Sequence, residues 1–496
     1  MMEGIVNAVN NVIWSNWLVY LCLGAGIYFS FRTRFSQVRN IKEMVTLLFK
    51  GEKSAEGISS FQALCTALAG RIGTGNIAGV ATAIAMGGPG ALFWMWAIAF
   101  LGAGSAFAES ALAQIYKEEH DGQYRGGPAY YIEKGFGNTT FSKWYGILFA
   151  VATVLATGLF LPGVQSNSIA VAVKNAFNIS PQIIAIVLVI LLALIIFGGI
   201  KRIGSAAELI VPFMGGLYIL MSLVIIAVNI GQLPDIIALI FKSAFGAEQA
   251  FAGIIGSTIA WGVKRGVYSN EAGQGTGPQA AAAAEVTHPA KQGLVQAFSV
   301  YVDTLFVCSA TGFMILMTGS YNVMGEGGAM IVENLPGAEI GPIYTQTAVS
   351  SLIPGFGEAF VAIALFFFAF TTLMAYYYIA EVNVTYICKK ITGGSSSKLG
   401  INLLRIVLLG AVAFGCVKTA ALAWTLGDIG VGSMAWLNIV AILGLSNIAM
   451  KCFKDYESQL KSGVPREEIY FDPEKLGIKN ADFWIERNKR IVKNIK

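Results

Sequence analysis

Apolar runs of about 20 residues, the length a helix needs to cross a bilayer, recur about eleven times along this chain and leave little room for any other architecture. They centre near residues 12–31, 60–86, 90–116, 144–173, 181–200, 206–229, 250–268, 292–318, 357–388, 400–417 and 422–450. Of the 496 residues, 55% are apolar and only 13% charged, which excludes a string of soluble domains. The expected class is an all-α polytopic membrane protein. The first run has no basic stretch ahead of it and ends at Phe31-Arg32-Thr33-Arg34 instead of a small-residue cleavage site, so it reads as a retained helix. The six cysteines lie in or beside apolar runs and form no CxxC pair, so neither a disulfide framework nor a structural metal is expected. The net charge of +5 needs no nucleic-acid partner.

Lys and Arg close to helix ends mark the cytoplasmic side of a membrane protein. With the N-terminus outside, 30 of the 34 basic residues fall on one side, Lys50, Lys53, Lys264 and Arg265 among them. Lys174, Lys242 and Lys418 fall on the other, and Arg71 lies inside a span. A cell-membrane protein with its C-terminus in the cytoplasm follows. The loop from Tyr321 to Thr347 fits an outer position, with Glu326, Glu333 and Glu339 and no basic residue.

A glycine cluster in mid-span implies unwound chain, and unwound chain is tolerated in a bilayer only where protein encloses it. Residues 69–79, AGRIGTGNIAG, carry four glycines in ten residues beside Thr74 and Asn76. Residues 253–262, GIIGSTIAWG, interrupt a second span five helices later and of opposite orientation. Two such spans point to an inverted-repeat secondary transporter with its site at the bilayer midplane. Close helix packing is the competing explanation for glycines at this spacing and stays open for the second cluster. The chain then divides into an extra N-terminal helix with an interfacial amphipathic helix (1–55), two inverted five-helix repeats (56–230 and 231–450), and a charged tail (451–496). In the amphipathic stretch, Val38, Ile41, Val45 and Leu48 alternate with Arg39, Lys42 and Glu43. The tail reads as cytoplasmic, solvated or touching anionic lipid.

The run AGRIGTGNIAGVATAIAMGGPGALFWMW, with GGPAYYIEKG at 126–135, RGVYSNEAGQGTGP at 265–278 and VDTLFVC at 302–308, closely resembles the alanine or glycine:cation symporter family. The resemblance implies a LeuT-type 5+5 fold behind one extra helix. It also implies import of small neutral amino acids, alanine and glycine, with sodium as the co-transported ion and no organic cofactor. By the same resemblance, the carbonyls of Ala69 and Ile72 face the Phe368 carbonyl and the hydroxyls of Thr371 and Thr372 around sodium.

A zwitterion in hydrocarbon needs donors for its carboxylate and acceptors for its ammonium. Free amides near Thr74, Gly75 and Asn76 suit the carboxylate at a positive helix end. Carbonyls of the Gly256 to Ala260 break, Ser257 and Thr258 among them, suit the ammonium. Gly73 and Gly75 permit close approach, and Trp261 or Phe160 is expected to cap the cavity. Gln165, costly in mid-span unless paired, either contacts the carboxylate or bonds another helix. Asn76 and Asp303 offer a second cation site, unless Asp303 pairs with Arg71. Glu109 and Asp428 read as helix-contact acids, and Glu208 and Glu381 as acids near the inner ends with partial hydration.

A proton-coupled permease on the same fold, with Glu109 or Asp303 carrying the proton, remains an alternative, and so does a non-transporting sensor or a channel. His120 and His288 both lie in inner loops, so no histidine relay crosses the membrane. The chain has no GxxxxGK[ST] loop, nucleophile elbow or HExxH, so neither an ATP-driven pump nor an enzyme is expected.

Overall fold

The computed structural model describes residues 2–49, 57–120, 122–392 and 397–495. Lys50, Lys53 and the 55/56 boundary lie outside these. The chain opens with α1 (Met2–Ile13), α2 (Asn16–Arg32), α3 (Ser36–Arg39) and α4 (Ile41–Phe49). It continues with α5 (Ser60–Arg71), α6 (Val80–Gly87), α7 (Ala91–Ile115), the hairpin β1 (Glu118–His120) and β2 (Gln123–Arg125), α8 (Pro128–Gly135), α9 (Thr140–Leu155) and α10 (Leu161–Phe177). Next come α11 (Pro181–Ile196), α12 (Gly199–Val228), α13 (Leu233–Ala244), α14 (Ile255–Asn270), α15 (Gly277–Ala283), α16 (Pro289–Tyr301) and α17 (Ser309–Met317). A second hairpin, β3 (Asn322–Met324) and β4 (Met330–Glu333), precedes α18 (Pro342–Ser350), α19 (Gly357–Thr392), α20 (Lys398–Val417), α21 (Ala420–Gly444), α22 (Ser446–Lys461) and α23 (Asp482–Ile495).

Among the described residues, eight helices are long and apolar enough to cross a membrane, and nine if the pair bent by 42° at 230–244 and 249–270 is one span. The other two apolar runs in the sequence are the interrupted α5–α6 and the short α11. A large core runs through most of the bundle, and a second, smaller one joins α6, the start of α7, α13, α17 and β3. Helix α7 is the hub of the bundle and packs on α2, α14, α15 and α16, while α10 packs on α19, α20 and α21. The N-terminal pair packs onto this arrangement, α1 against α21 and α2 against α7. On α4, Met44, Leu47 and Leu48 are buried while Ile41 and Val45 point outward. An apolar outer face of this kind suits a helix lying in the membrane interface.

Three π-helical turns, Gly75–Gly79, Ala156–Phe160 and Val302–Cys308, interrupt the long helices. Such turns add a residue to the helical circuit and redirect side chains, and they concentrate at functional sites.

The expected free tail is instead a tertiary element. Phe471 and Trp484 are buried, Trp484 Nε1 donates to the Gln114 carbonyl at 2.8 Å, and Arg466 grips Glu43 at 2.6 Å. Alternating aromatic and charged residues let one face pack while the other stays wet. Glu381 also departs from expectation: it is buried and paired with Arg125 at 3.0 Å, not hydrated. Glu208 is half-buried and accepts from Gln62 at 3.0 Å.

Candidate substrate and cation site

Helix α5 stops at Arg71 because the next amides leave the helical ladder. The Gly73 N–H, which would bond Ala69 in a continuing helix, donates instead to Asn76 Oδ1 at 2.8 Å. The Asn76 N–H, which would bond Ile72, donates to the Gly73 carbonyl at 3.3 Å. Ala69 and Ile72 therefore keep carbonyl oxygens free of helical bonds. Both turn toward Thr372 on α19, whose Oγ1 lies 2.8 Å from Ala69 O, 3.4 Å from Ile72 O and 3.0 Å from Phe368 O. Thr371 Oγ1 lies 2.9 Å from the same Phe368 oxygen. All five residues are buried. A hydroxyl has one proton to donate, so this knot has more acceptors than donors, the condition a hard cation such as Na+ relieves.

Inside the break a side chain would clash at position 73 and crowd its neighbours at position 75. A Cβ on Gly73 would stand 2.4 Å from Thr372 Oγ1, and one on Gly75 would stand 3.1 Å from the Ser269 backbone. Gln165 Oε1 accepts from the Thr74 N–H at 3.0 Å, so an amide oxygen already sits where an anionic oxygen could bind.

Asp303, on the 302–308 π turn, is fully buried. Its Oδ1 accepts from Asn76 Nδ2 at 2.6 Å and Ser269 at 3.1 Å, and its Oδ2 from Thr304 at 2.7 Å. Arg71 makes no hydrogen bond to it, its Nη1 donating to Ser299, with Gln296 O at 3.4 Å. The Arg71–Asp303 pair weighed in the sequence thus does not form, and Asp303 joins Asn76 instead.

The second break lies downstream of its expected place. Residues 255–270 are continuous helix, and the chain unwinds at Glu271 (φ 57°), Gly273 (φ 77°) and Gly275 (φ 88°) before α15 begins. Gly256 sits 15 residues before Glu271, roughly 22 Å along a helix, and a Cβ there meets nothing within 4 Å. Ser257 is half-buried, and Thr258 Oγ1 bonds the Gly87 carbonyl at 2.7 Å as a helix contact. The misplacement has an electrostatic origin. Lys264 and Arg265 look like the end of a span, yet both are buried within α14, where Asp428 of α21 takes Lys264 at 2.7 Å and both Arg265 nitrogens at 2.9 and 2.8 Å. They leave the inner-loop count, and the bias of the remaining loops is unchanged.

Neither expected cap covers the first break. Phe160 lines a lateral apolar cavity of about 370 Å³ with Val407, Phe414 and Leu422. Trp261 lies over Lys264 and Arg265, 4.9 and 5.1 Å from its ring. The aromatic group at the break is Tyr268, whose Cδ1 is 3.2 Å from a Cβ on Gly75 and whose ring meets Trp424 at 5.1 Å. Arg265 stacks on Trp424 at 4.6 Å, and Trp14 Nε1 closes the layer by donating to the Asp428 carbonyl at 2.8 Å. Glu109 contacts helices as expected: it accepts from Gly273 N–H at 3.3 Å and Asn438 at 2.7 Å and so pins the second break to α7 and α21.

Sequence reasoning missed Tyr268, Ser269, Glu271, Thr304 and Cys308. All lie in the RGVYSNEAGQGTGP and VDTLFVC motifs. The available signal was glycine density, three in the five residues 273–277.

The model of the sodium:alanine symporter family matches residues 1–470. The chain belongs to this family. The carrier protein YrbD of Bacillus subtilis (strain 168) is 61% identical over 97% of this chain and 98% of its own length. The sodium/proton-dependent alanine carrier protein of Bacillus sp. (strain PS3) is 51% identical over 90% and 98%. The sodium/alanine symporter AgcS of Methanococcus maripaludis is 40% identical over 92% and 98%. A solved structure of a Na+-coupled sialic acid symporter in a substrate-bound, outward-open state shares the fold, with a TM-score of 0.50 and 13% identity over 91% of this chain and 92% of that one. Members of this family are membrane transporters, not enzymes.

Proposed function

We propose that this protein imports alanine, and other small neutral amino acids such as glycine, across the cell membrane together with sodium. The observation that carries the reading is the donor-poor oxygen knot of Ala69, Ile72, Phe368, Thr371 and Thr372, in a family named for sodium and alanine. Sodium enters this knot and ties the first broken helix to α19. The substrate carboxylate takes the place on the Thr74 N–H that Gln165 Oε1 holds, and Gln165 then donates its own amide to it. Carbonyls of the second break receive the ammonium. Gly73, Gly75, Tyr268 and Trp424 crowd the break and so favour a small side chain. A second cation binds between Asn76 and Asp303.

The N-terminus lies outside and the tail in the cytoplasm. The repeats at 56–230 and 231–450 rock about the site, and the Arg265–Asp428–Lys264 layer is the barrier that opens on one side. Labelled alanine uptake into proteoliposomes, with and without an inward sodium gradient at fixed pH, tests this. Accumulation only with the gradient is expected. Equal uptake without it overturns sodium coupling.

A further inference from the structure

Four charged groups meet between the two broken helices: Arg71 on α5, Glu109 on α7, Glu271 at the second break and Asp303 on the π turn. One guanidinium therefore faces three carboxylates in a region without bulk water, a net negative charge that is costly there. Arg71 hydrogen-bonds to none of the three, and its Nε and Nη2 have no partner.

The three carboxylates are supported unequally. Asp303 accepts three side-chain donors, and Glu109 accepts a backbone N–H and an amide. Donors of this kind stabilise an ionised carboxylate. Glu271 is 1% exposed, and its Oε1 has no hydrogen-bond partner among the described residues. Its Oε2 lies 3.2 Å from where a Cβ on Gly70 would stand, so the carboxyl reaches across to the first broken helix beside the sodium knot. It borders a cavity of about 10 Å³, about the size of one water, edged by Thr66, Gly70, Thr276 and Tyr378. The Thr276 hydroxyl lies beside the same carboxyl and is its nearest side-chain donor. Besides Arg71, Glu109 and Asp303, the titratable groups facing Glu271 are the phenols of Tyr268 on α14 and of Tyr376 and Tyr378 on α19.

We infer that Glu271 is a proton-binding site, through which this chain couples alanine uptake to protons as well as to sodium; the inference rests on the symport reading above. A proton from water on the open side binds Oε1 and makes a neutral carboxyl. It leaves to water on the other side after the repeats rock, and no bond of the substrate is broken. The neutral carboxyl lets Gly70 and the second break separate without exposing a bare charge to hydrocarbon.

The test uses the full chain in proteoliposomes with a trapped pH dye and labelled alanine. With sodium at equal concentration on both sides and an inward proton gradient, alanine should drive proton entry through the wild type. In Glu271→Gln, proton entry per alanine taken up should fall by about tenfold or more. If the Gln variant transports with neither ion, Glu271→Asp, which keeps the carboxyl, should move the pH dependence of proton entry, and an unchanged dependence overturns the site. Proton entry that persists in an active Gln variant, or its absence from a wild type that takes up alanine with sodium, likewise overturns the inference and leaves sodium symport standing. A wild type without sodium-driven uptake would sink the symport reading instead.

Discussion

The two broken helices resolve the same backbone problem in opposite ways. At the first break nearly every polar group is matched: Gly73 N–H to Asn76, Thr74 N–H to Gln165, and the Asn76 amide to Asp303. At the second, Asn270 Nδ2, Glu271 Oε1 and both polar ends of Gln274 have no partner among the described residues. Leaving one buried polar group unpaired costs about 1–3 kcal/mol, so the second break holds hydrogen-bonding capacity that water, ion or substrate must satisfy. The first is thus a preset cradle with an excess of acceptors at one point. The second is held at Gly273 by Glu109 and Asn438, at Ala272 by Asn270 and at Gln274 by the Glu271 carbonyl.

The largest effect belongs to the preset cradle. Thr371→Val with Thr372→Val removes both hydroxyls from the knot and should lower sodium-stimulated uptake by about 100-fold or more; retained stimulation would remove the cation from this place. Gly73→Ala should follow with a loss of about tenfold or more, because its Cβ would stand 2.4 Å from Thr372 Oγ1. Gly273→Ala, at φ 77°, strains the backbone by about 1–2 kcal/mol and should cost less transport. Equal losses in these two variants would erase the distinction between the breaks. Asn438→Ala frees Gly273 O and Glu109 Oε2 together and should lower the unfolding free energy by about 1–3 kcal/mol, read as an earlier thermal transition.

A smaller effect tests the packed tail beneath the second break. His288 caps α16, its Nδ1 accepting from the Ala290 N–H at 3.1 Å while Nε2 meets Asp455 at 3.3 Å. Burial holds the imidazole below its ordinary value of 6.5, against the pull of Asp455. The unfolded chain therefore takes up this proton first, and stability falls as pH drops below about 6.5, by no more than about 1.4 kcal/mol per pH unit. Thermal melts of wild type and His288→Gln between neutral and mildly acid pH should diverge in slope, and parallel slopes would contradict the role. The smallest effect is at the site the sequence favoured. Gly256→Ala should leave transport unchanged, since nothing lies within 4 Å of its Cβ.

That contrast shows what was legible and why. Apolar run length located the spans because hydrocarbon thickness dictates it, and the glycine-rich 69–79 break was readable because hydroxyl and amide side chains flank it within one apolar run. The knot of Ala69, Ile72, Phe368, Thr371 and Thr372 came from family resemblance, since nothing local to residue 372 announces a partner three hundred positions earlier. The second break was misplaced because Lys264 and Arg265 look like a membrane boundary until Asp428 is known to face them. Charge pairing between α14 and α21 is a property of the fold and has no local signature.

The most direct test of the account is reciprocal binding: alanine affinity measured with and without sodium, and sodium affinity with and without alanine, on the purified protein. If sodium completes the cradle, each ligand tightens the other by the same factor, as linkage requires. An alanine affinity indifferent to sodium would contradict it.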